Sequence, residues 1–194
     1  MQDFKTLNFN KVYNYAQYLT WQFDERVELI KGKIFEMSPA PSSNHQNISS
    51  QLHGFIWQYL RSKECKIFHA PFDVRFPKNR NSQESEIHTV VQPDICVICD
   101  LSKIDEKGCL GAPDMIIEIL SPSTSKMDVK DKFNIYQQSG VKEYWIVHPE
   151  EKLIEQFLLN EKGVYILQKM YTEDDNISVC VLDNYTIPLK EIFS

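Results

Sequence analysis

Two acidic residues lie in short apolar segments near the middle of the 194-residue chain. Asp94 follows Pro93 and begins the run Ile95–Ile98, and Glu118 lies inside the run 115–120. Such runs, rich in β-branched residues and bounded by proline, are typical of strands that are covered on both faces. Burying an ionised carboxylate there without a partner is energetically costly. We therefore expect these acids to meet a metal ion or a lysine, or to carry a catalytic proton.

Each acid occupies a position from which it can take part in chemistry. Alternation along 115–120 places Glu118 on an otherwise aliphatic face, between Ile116 and Leu120. Asp94 directly follows a proline, so its backbone is extended and its side chain lies at the end of a strand, where it can reach solvent. We expect the two runs to form neighbouring strands, so that the two carboxylates lie together at one site.

A lysine on a predicted helix is the third candidate. The helix over 125–138 has an apolar stripe of Val129, Phe133 and Tyr136. At about 100° per residue, Lys132 falls beside Val129 and Tyr136, at the edge of the buried side. From that position Lys132 either extends to solvent or meets a buried carboxylate, and the spacing leaves both open.

Two carboxylates and a lysine suit metal-assisted hydrolysis of a phosphodiester. Carboxylate oxygens are hard ligands for Mg²⁺, which keeps several waters and also binds a phosphate oxygen. A lysine beside them orients the attacking water, helps to deprotonate it and offsets charge in the transition state. This chemistry requires no cysteine.

Three other polar residues have more than one interpretation. Glu28 stands in a predicted hairpin, where a solvated carboxylate is the simpler explanation. His45 shares the apolar face of a helix in its first turn, and spacing alone favours a packed, hydrogen-bonded histidine over a role in a site. Asp73 is either a polar residue on an edge strand, the stronger interpretation, or an outer member of the acidic group.

Periodicity and turn residues predict the elements that position these side chains. In chain order they are a helix over 11–21, a hairpin of 26–30 and 33–37 joined by Lys31 and Gly32, a helix over 43–61 capped by Ser43 with Gln46, strands 66–69 and 72–76, an exposed mobile loop over 78–88, the two central strands, a helix over 125–138 capped by Ser125, strand 143–147, and an antiparallel meander of 153–159, 164–170 and 177–182. The strand, helix, strand succession around 125–138 predicts parallel neighbours.

Composition limits the class of protein. With 42% hydrophobic residues the chain can form one sizeable core, so we expect a single domain over 1–194. A net charge of −6 disfavours a protein that coats nucleic acid by bulk electrostatics, although a local groove can still be basic. No run approaches the roughly 18 apolar residues of a membrane span, and residues 1–5 lack the features of a signal peptide, so we expect a cytoplasmic protein.

The five cysteines do not form a recognisable framework. An odd number without regular spacing suits free thiols in a reducing compartment. Cys96 and Cys99 form a C-x-x-C pair, but positions three apart on a strand point to opposite faces. A redox or zinc-binding role for this pair is therefore disfavoured.

The segments around these residues together resemble the Uma2 family, formerly the domain of unknown function DUF820, within the PD-(D/E)xK nuclease superfamily. The resemblance covers nearly the whole chain. It rests on residues 92–94 (QPD), 113–124 (PDMIIEILSPST) and 140–145 (GVKEYW), with the hairpin over 28–32, the turn over 37–42 and His45 on the following helix.

The resemblance implies an α/β (mixed α+β) fold with a restriction-endonuclease-like core, in which a mixed sheet lies between helices and a C-terminal antiparallel meander follows. It implies Asp94 and Glu118 as metal ligands, a main-chain carbonyl after Glu118 as a third ligand, and Glu28 and His45 as further site residues. The superfamily pattern has its lysine two residues after the glutamate, where this chain has Leu120. In related nucleases that lysine has moved to the neighbouring helix, and Lys132 fits this position.

These observations lead to the hypothesis of a cytoplasmic endonuclease that uses Mg²⁺, or Mn²⁺ in its place, to cut DNA. One alternative is a nuclease-like module that binds nucleic acid or a protein partner without cutting, and a general metallohydrolase is another. The resemblance also implies a homodimer, and the strand edges of the C-terminal meander offer a surface for pairing.

Overall fold

The structure is a computed structural model that describes residues 4, 7–37, 40–79, 81–121 and 126–194, with the backbone only for 126–128. The α-helices in these residues are α1 (Tyr15–Tyr18), α2 (Ser43–Leu60), α3 (Lys126–Ser139) and α4 (Leu189–Ile192). The strands are β1 (Val27–Ile30), β2 (Lys33–Glu36), β3 (Lys66–His69), β4 (Val74–Arg75), β5 (Val90–Val91), β6 (Ile95–Ile98), β7 (Ile104–Asp105), β8 (Gly108–Leu110), β9 (Met115–Ile119), β10 (Glu143–His148), β11 (Leu153–Leu159), β12 (Tyr165–Thr172), β13 (Asn176–Val179) and β14 (Tyr185–Pro188).

A six-stranded mixed sheet forms the centre, in the order β12-β11-β10-β9-β6-β3. β9 and β10, which precede and follow α3 in the sequence, pair with each other in parallel, as the strand, helix, strand succession predicted. The neighbouring pairs β3–β6, β6–β9, β10–β11 and β11–β12 are antiparallel. Every residue of β6 and β9 is buried, which confirms that the two central apolar runs are covered on both faces.

Alternation along β9 divides the interior into two layers. Met115, Ile117 and Ile119 pack in the same cluster as the apolar face of α2. Ile116, on the opposite face, packs in a second cluster with Tyr136 of α3. The central sheet therefore lies between α2 and α3, and Glu118 belongs to the face turned towards α3.

A second six-stranded sheet, in the order β2-β1-β5-β4-β8-β7, begins with the predicted hairpin. Lys31 and Gly32 both have positive φ, 52° and 77°, as a two-residue hairpin turn requires. A Cβ at Gly32 would lie 2.8 Å from the Tyr13 carbonyl oxygen, so the close approach of the chain also demands glycine there.

Several element predictions need correction. The helix predicted over 11–21 is confined to α1, because Asn14 caps it with a hydrogen bond from the Gln17 N–H. The strand predicted over 72–76 is only β4, and it lies between β5 and β8 rather than at an edge. The segment 177–182 does not add a third strand to the meander formed by β11 and β12. Instead β13 pairs with β14 as a separate hairpin.

Some predictions fall on residues outside the described ranges. These are the cap at Ser125, residues 38 and 39 of the turn over 37–42, and residues 122–124 of the central motif. The loop over 78–88, described except for residue 80, contains a short 3-10 helix at Glu84–Glu86. Its mobility stays a prediction.

The prediction that all five cysteines are free is wrong. Cys65 and Cys99 form a disulfide. They stand one position beyond the aligned pair Lys66 and Ile98 of β3 and β6, so strand pairing brings them together. Cys96, Cys109 and Cys180 are free. The argument from free thiols to a reducing compartment therefore fails, and a cytoplasmic location stays a prediction.

Candidate active site

Asp94 and Glu118 are brought together by the antiparallel pairing of β6 with β9. The register aligns Ile95 with Ile117, which places Asp94 opposite Glu118 at the end of the pair. Asp94 Oδ2 accepts a hydrogen bond of 2.8 Å from the backbone N–H of Ile119. This bond holds the Asp94 carboxylate against β9, directly beside Glu118.

Lys132 points from α3 towards these acids and is only 8% exposed. Its Nζ lies 3.2 Å from Glu118 Oε1 and 3.1 Å from Glu28 Oε1. Of the two positions that the helical spacing left open, Lys132 therefore takes the one at the buried carboxylates.

Glu28 is buried, contrary to its interpretation as a solvated hairpin carboxylate. It is 3% exposed, and besides Lys132 its Oε1 meets the backbone N–H of Gln92, which donates a hydrogen bond of 2.8 Å. Because Glu28 belongs to the second sheet and Glu118 to the central sheet, the Lys132 ammonium joins the two sheets at this site.

Tyr136 is a member of the site that the sequence did not reveal. Its hydroxyl donates a hydrogen bond of 2.5 Å to Glu118 Oε1, and its side chain is fully buried. The spacing of four residues from Lys132 places both on one face of α3, which was the available signal. Tyr136 was assigned to the apolar stripe, because an aromatic ring satisfies the helical pattern whether or not its hydroxyl has a partner.

The electrostatics of the cluster favour a bound cation. Burial raises the pKa of Glu118, and the charges of Asp94 and Glu28 raise it further, while Lys132 and the Tyr136 hydroxyl lower it. The net shift is upward. Acidic groups outnumber the single Lys132 ammonium here, so a bound cation would lower the Glu118 pKa and stabilise its ionised form.

His45 reaches Asp94 from the first turn of α2. The helix is capped at Ser42, one residue before the predicted cap, and the Ser42 side chain accepts a hydrogen bond from the His45 N–H. His45 Nε2 lies 3.4 Å from Asp94 Oδ1. Burial lowers the His45 pKa, but hydrogen bonds to Asp94 and to the Ile119 backbone, with the charges of Asp94 and Glu118, outweigh burial and raise it.

Asp73 belongs to a neighbouring network rather than to the cluster itself. Its Oδ1 accepts a hydrogen bond of 2.9 Å from Gln92 Nε2, and the hydroxyls of Tyr15 and Tyr18 each lie 3.4 Å from its carboxylate oxygens. Gln92 connects this network to the cluster, because its backbone N–H donates to Glu28.

The donor set fits a hard divalent ion. Glu118 directs Oε1 to Lys132 and Tyr136, so its second oxygen is not used in those contacts. Carboxylate oxygens with waters and a phosphate oxygen are the coordination that Mg²⁺ prefers. Among the residues that the structure describes, no three His, Cys, Asp or Glu side chains form a group able to hold a metal ion. Asp94 and Glu118 would therefore share the ion with backbone, water or substrate oxygens.

A mixed sheet between two helices, with acids at adjacent central strands, is the arrangement expected of a restriction-endonuclease-like fold. A solved structure from Anabaena variabilis, described as "a putative nuclease belonging to DUF820", has a similar fold with a TM-score of 0.69 at 22% identity, covering 93% of this chain and 97% of that one. Residues 15–190 match the Uma2 family model, described as "Putative restriction endonuclease". The chain therefore belongs to the Uma2 family, and the expected fold class is confirmed.

Curated relatives are similar along most of their length. The uncharacterized protein slr1290 of Synechocystis sp. is 25% identical over 161 residues, which cover 81% of this chain and 80% of that protein. The uncharacterized protein sll1609 of the same organism is 27% identical over 131 residues, covering 66% and 69%. Among the described residues, no helix has the length and apolar character needed to cross a membrane.

Proposed function

We propose that this protein is a Mg²⁺-dependent endonuclease that hydrolyses phosphodiester bonds of DNA. The observation that carries the proposal is the convergence of Asp94, Glu118 and Lys132, with Lys132 Nζ 3.2 Å from Glu118 Oε1. Membership of the Uma2 family supports a nuclease acting on nucleic acid. Hard carboxylate ligands beside a buried ammonium support metal-assisted hydrolysis in particular.

Each residue has a distinct role in this reaction. Asp94 and Glu118 would hold the divalent ion, which would supply Lewis-acid stabilisation of negative charge on the phosphate and the attacking water. Lys132 orients the attacking water and offsets negative charge as the phosphorane-like transition state forms. The backbone N–H of Ile119 fixes the Asp94 carboxylate, and the Tyr136 hydroxyl fixes that of Glu118.

Glu28 and His45 act as positioning residues. Glu28 Oε1 lies 3.1 Å from Lys132 Nζ and accepts a hydrogen bond from the Gln92 N–H. Movement of the ammonium towards solvent would remove the cation from this buried carboxylate, which is energetically costly. His45 places its Nε2 3.4 Å from Asp94 Oδ1 and so orients that carboxylate.

Cleavage of plasmid DNA tests the assignment directly. Asp94→Asn and Glu118→Gln preserve shape but weaken the hold on a divalent ion, so we expect each to lower the Mg²⁺- or Mn²⁺-dependent rate at least about 100-fold. Glu161→Gln, which changes an exposed turn residue, is the matched control and should cut like the wild type. Equal rates for Asp94→Asn and the wild type would remove the assignment.

A nuclease-like module that binds without cutting is the second candidate. It is favoured by Leu120, which stands at the usual lysine position and packs against the apolar cluster around Tyr136. The net charge of −6 points the same way. Calorimetric titration separates the two candidates: an endonuclease binds Mg²⁺ or Mn²⁺ in a manner that Glu118→Gln abolishes, and a metal-independent module does not.

We also propose that the protein forms a homodimer through β12. This strand is the outer edge of the central sheet, so within the described part of the chain one row of its backbone hydrogen-bonding groups has no strand partner. It exposes several large apolar side chains, namely Ile166, Leu167 and Met170, which are 50%, 45% and 48% exposed. A second copy of the same strand would cover both features.

A further inference from the structure

A pocket of about 310 Å³ opens beside the acidic cluster. Three aromatic residues, Tyr18, Trp21 and Phe23, form one part of its lining, and Arg26 and Gln92 contribute polar groups. A volume of this size lies at the lower end of the range for small-molecule sites, about 300–1,000 Å³. The pocket can therefore hold one flat, aromatic-sized group.

The pocket and the acidic cluster share the same chain segments. Val27 lines the pocket and Glu28, the next residue, pairs with Lys132. Gln92 lines the pocket with its side chain, while its backbone N–H donates to Glu28. The pocket and the acidic cluster are therefore neighbours at β1 and Gln92, with the side chains of Val27 and Glu28 turned to opposite faces of β1.

The aromatic rings of the pocket pack against one another. Trp21 and Phe23 stack with ring centroids 5.6 Å apart and an interplanar angle of 28°, and Tyr18 tilts against Trp21 at a centroid distance of 5.6 Å. All three residues keep part of their surface exposed. Nucleic-acid bases stack on such rings, and because every base has a π-face, this contact tolerates any base.

The polar groups of the pocket are mostly used within the protein. Gln92 Oε1 accepts a hydrogen bond of 2.8 Å from Arg26 Nη2, and Gln92 Nε2 donates to Asp73 Oδ1 at 2.9 Å and to the Tyr18 hydroxyl at 3.3 Å. An amide engaged in this way does not read the edge of a base. The pocket therefore selects for a stacked ring rather than for a sequence.

Charge at the rim decides which part of a nucleotide enters. The lining includes the exposed carboxylates Asp24 and Glu25. Like charges repel a phosphate there, whereas a neutral base meets no such cost. The guanidinium of Arg26 has five N–H donors, and the bond to Gln92 occupies one of them, so others can meet the backbone of a bound strand.

We propose that this pocket binds one unpaired base of the nucleic-acid substrate next to the phosphodiester at the acidic cluster. The inference rests on the proposed function and narrows its substrate class to single-stranded or locally opened nucleic acid. A paired base must first leave its stack, at an energetic cost that an unpaired base does not have.

Binding measured without cleavage tests this inference. The probe is a fluorescein-labelled single-stranded DNA of roughly 12 nucleotides, and anisotropy is recorded in EDTA, which removes divalent ions. We expect Trp21→Ala to weaken binding about 5- to 150-fold, the effect of losing one base–aromatic stack. Trp21→Phe should restore most of the affinity. Trp57→Ala, on an exposed tryptophan of α2 outside the pocket, should bind like the wild type.

A second measurement keeps the wild-type protein, because Trp21 also contacts Tyr13 and its loss could disturb the fold. A probe of the same length in which every position is abasic offers no base in any register, and it should bind the wild type at least as weakly as the intact probe binds Trp21→Ala. A fully paired duplex of the same sequence should bind more weakly than the single strand.

The outcomes separate the pocket from the proposed nuclease activity. The pocket would be overturned by equal affinity of Trp21→Ala and wild type, or by equal affinity of the wild type for the intact and the fully abasic probe. Duplex binding as tight as single-strand binding, or no binding at all, would also overturn it. Cleavage that still depends on Asp94 would leave the nuclease standing in those cases. Binding that depends on Trp21 in a protein that never cuts DNA would support the pocket and refute the nuclease.

Discussion

Lys132 is the residue on which the charge balance between the buried acids depends. Its ammonium lies within 3.2 Å of the carboxylates of Glu28 and Glu118, which belong to two different sheets. Each of the three residues is less than 10% exposed. In such surroundings a carboxylate that loses its partner either protonates or destabilises the fold. The same lysine therefore serves both folding and, under the proposed function, hydrolysis.

Lys132→Met should lower the free energy of unfolding by about 3–5 kcal/mol at neutral pH, because it leaves Glu28 and Glu118 without that buried charge partner. Urea unfolding in the presence of a chelator measures this. Lys130→Met changes an exposed lysine on the same helix and should cost less than about 1 kcal/mol. If the two variants were equally stable, the ammonium would not compensate the buried acids.

His45 should make stability depend on pH in a defined direction. Its pKa in the folded protein is raised above 6.5, so the protonated form is stabilised by folding. This contribution is fully present below about pH 6.5, the unfolded pKa, and is lost as the pH rises through the folded pKa. His45→Gln should therefore cost more stability at about pH 5.5 than at about pH 9.

His53 supplies a control of opposite sign. Burial and the neighbouring His69 lower its pKa, so protonation of His53 opposes folding. Relative to His53→Gln, the wild type should gain stability as the pH rises. Parallel curves for the two variants would contradict the assignment of His45 to a charged contact with Asp94.

At the scale of elements, the pairing of β3 with β6 is reinforced by the disulfide between Cys65 and Cys99. The linked cysteines are 34 residues apart in sequence. A cross-link of that separation restricts the unfolded chain, and the restriction corresponds to about 3–4 kcal/mol in the loop-entropy description.

Replacing both bridged cysteines with serine should therefore lower the free energy of unfolding by about 3–4 kcal/mol, measured by urea unfolding without reductant. Dithiothreitol should destabilise the wild type by a similar amount and leave the double variant unchanged. Cys180→Ser, at a free cysteine, should respond to reductant like the wild type. Insensitivity of the wild type to reductant would argue against the bridge.

At the scale of the whole molecule, the candidate site joins parts of the chain that are distant in sequence. Asp94 and Glu118 come from the central sheet, Glu28 from the second sheet, and His45 and Lys132 from helices on opposite faces of the central sheet. Any motion of one layer against another would change the distances at this site. Bound metal should therefore stabilise the whole fold, through preferential binding to the native state.

The proposed dimer is tested by light scattering after size exclusion. The wild type should have twice the mass of one chain, and Ile166→Lys with Met170→Lys should give the single-chain mass, since charges on an edge strand oppose pairing. Leu101→Lys, at an exposed leucine outside β12, should remain dimeric. A monomeric wild type would refute the dimer, and a dimeric double variant would exclude β12 as its interface.

The sequence by itself determined the features that follow local rules. Alternation identified the two faces of β9 and the position of Glu118, and the turn residues identified the β1–β2 hairpin. Helical spacing placed Lys132 at the edge of the buried side of α3 and left its partner open. These patterns repeat every two residues or every 3.6, so they are complete within one segment. The family resemblance added Glu28 and His45, which spacing alone had assigned to solvent or to simple packing.

Only the tertiary structure decided which segments meet. In it the Tyr136 hydroxyl donates to Glu118, and the Gln92 N–H donates to Glu28. Cys65 is bonded to Cys99, and β13 pairs with β14 instead of extending the meander. No local period encodes these contacts, because each depends on the register between strands or on the packing of a helix against a sheet. Partners such as Glu28 and Gln92, or Cys65 and Cys99, become neighbours only when the strands pair and the layers pack on one another.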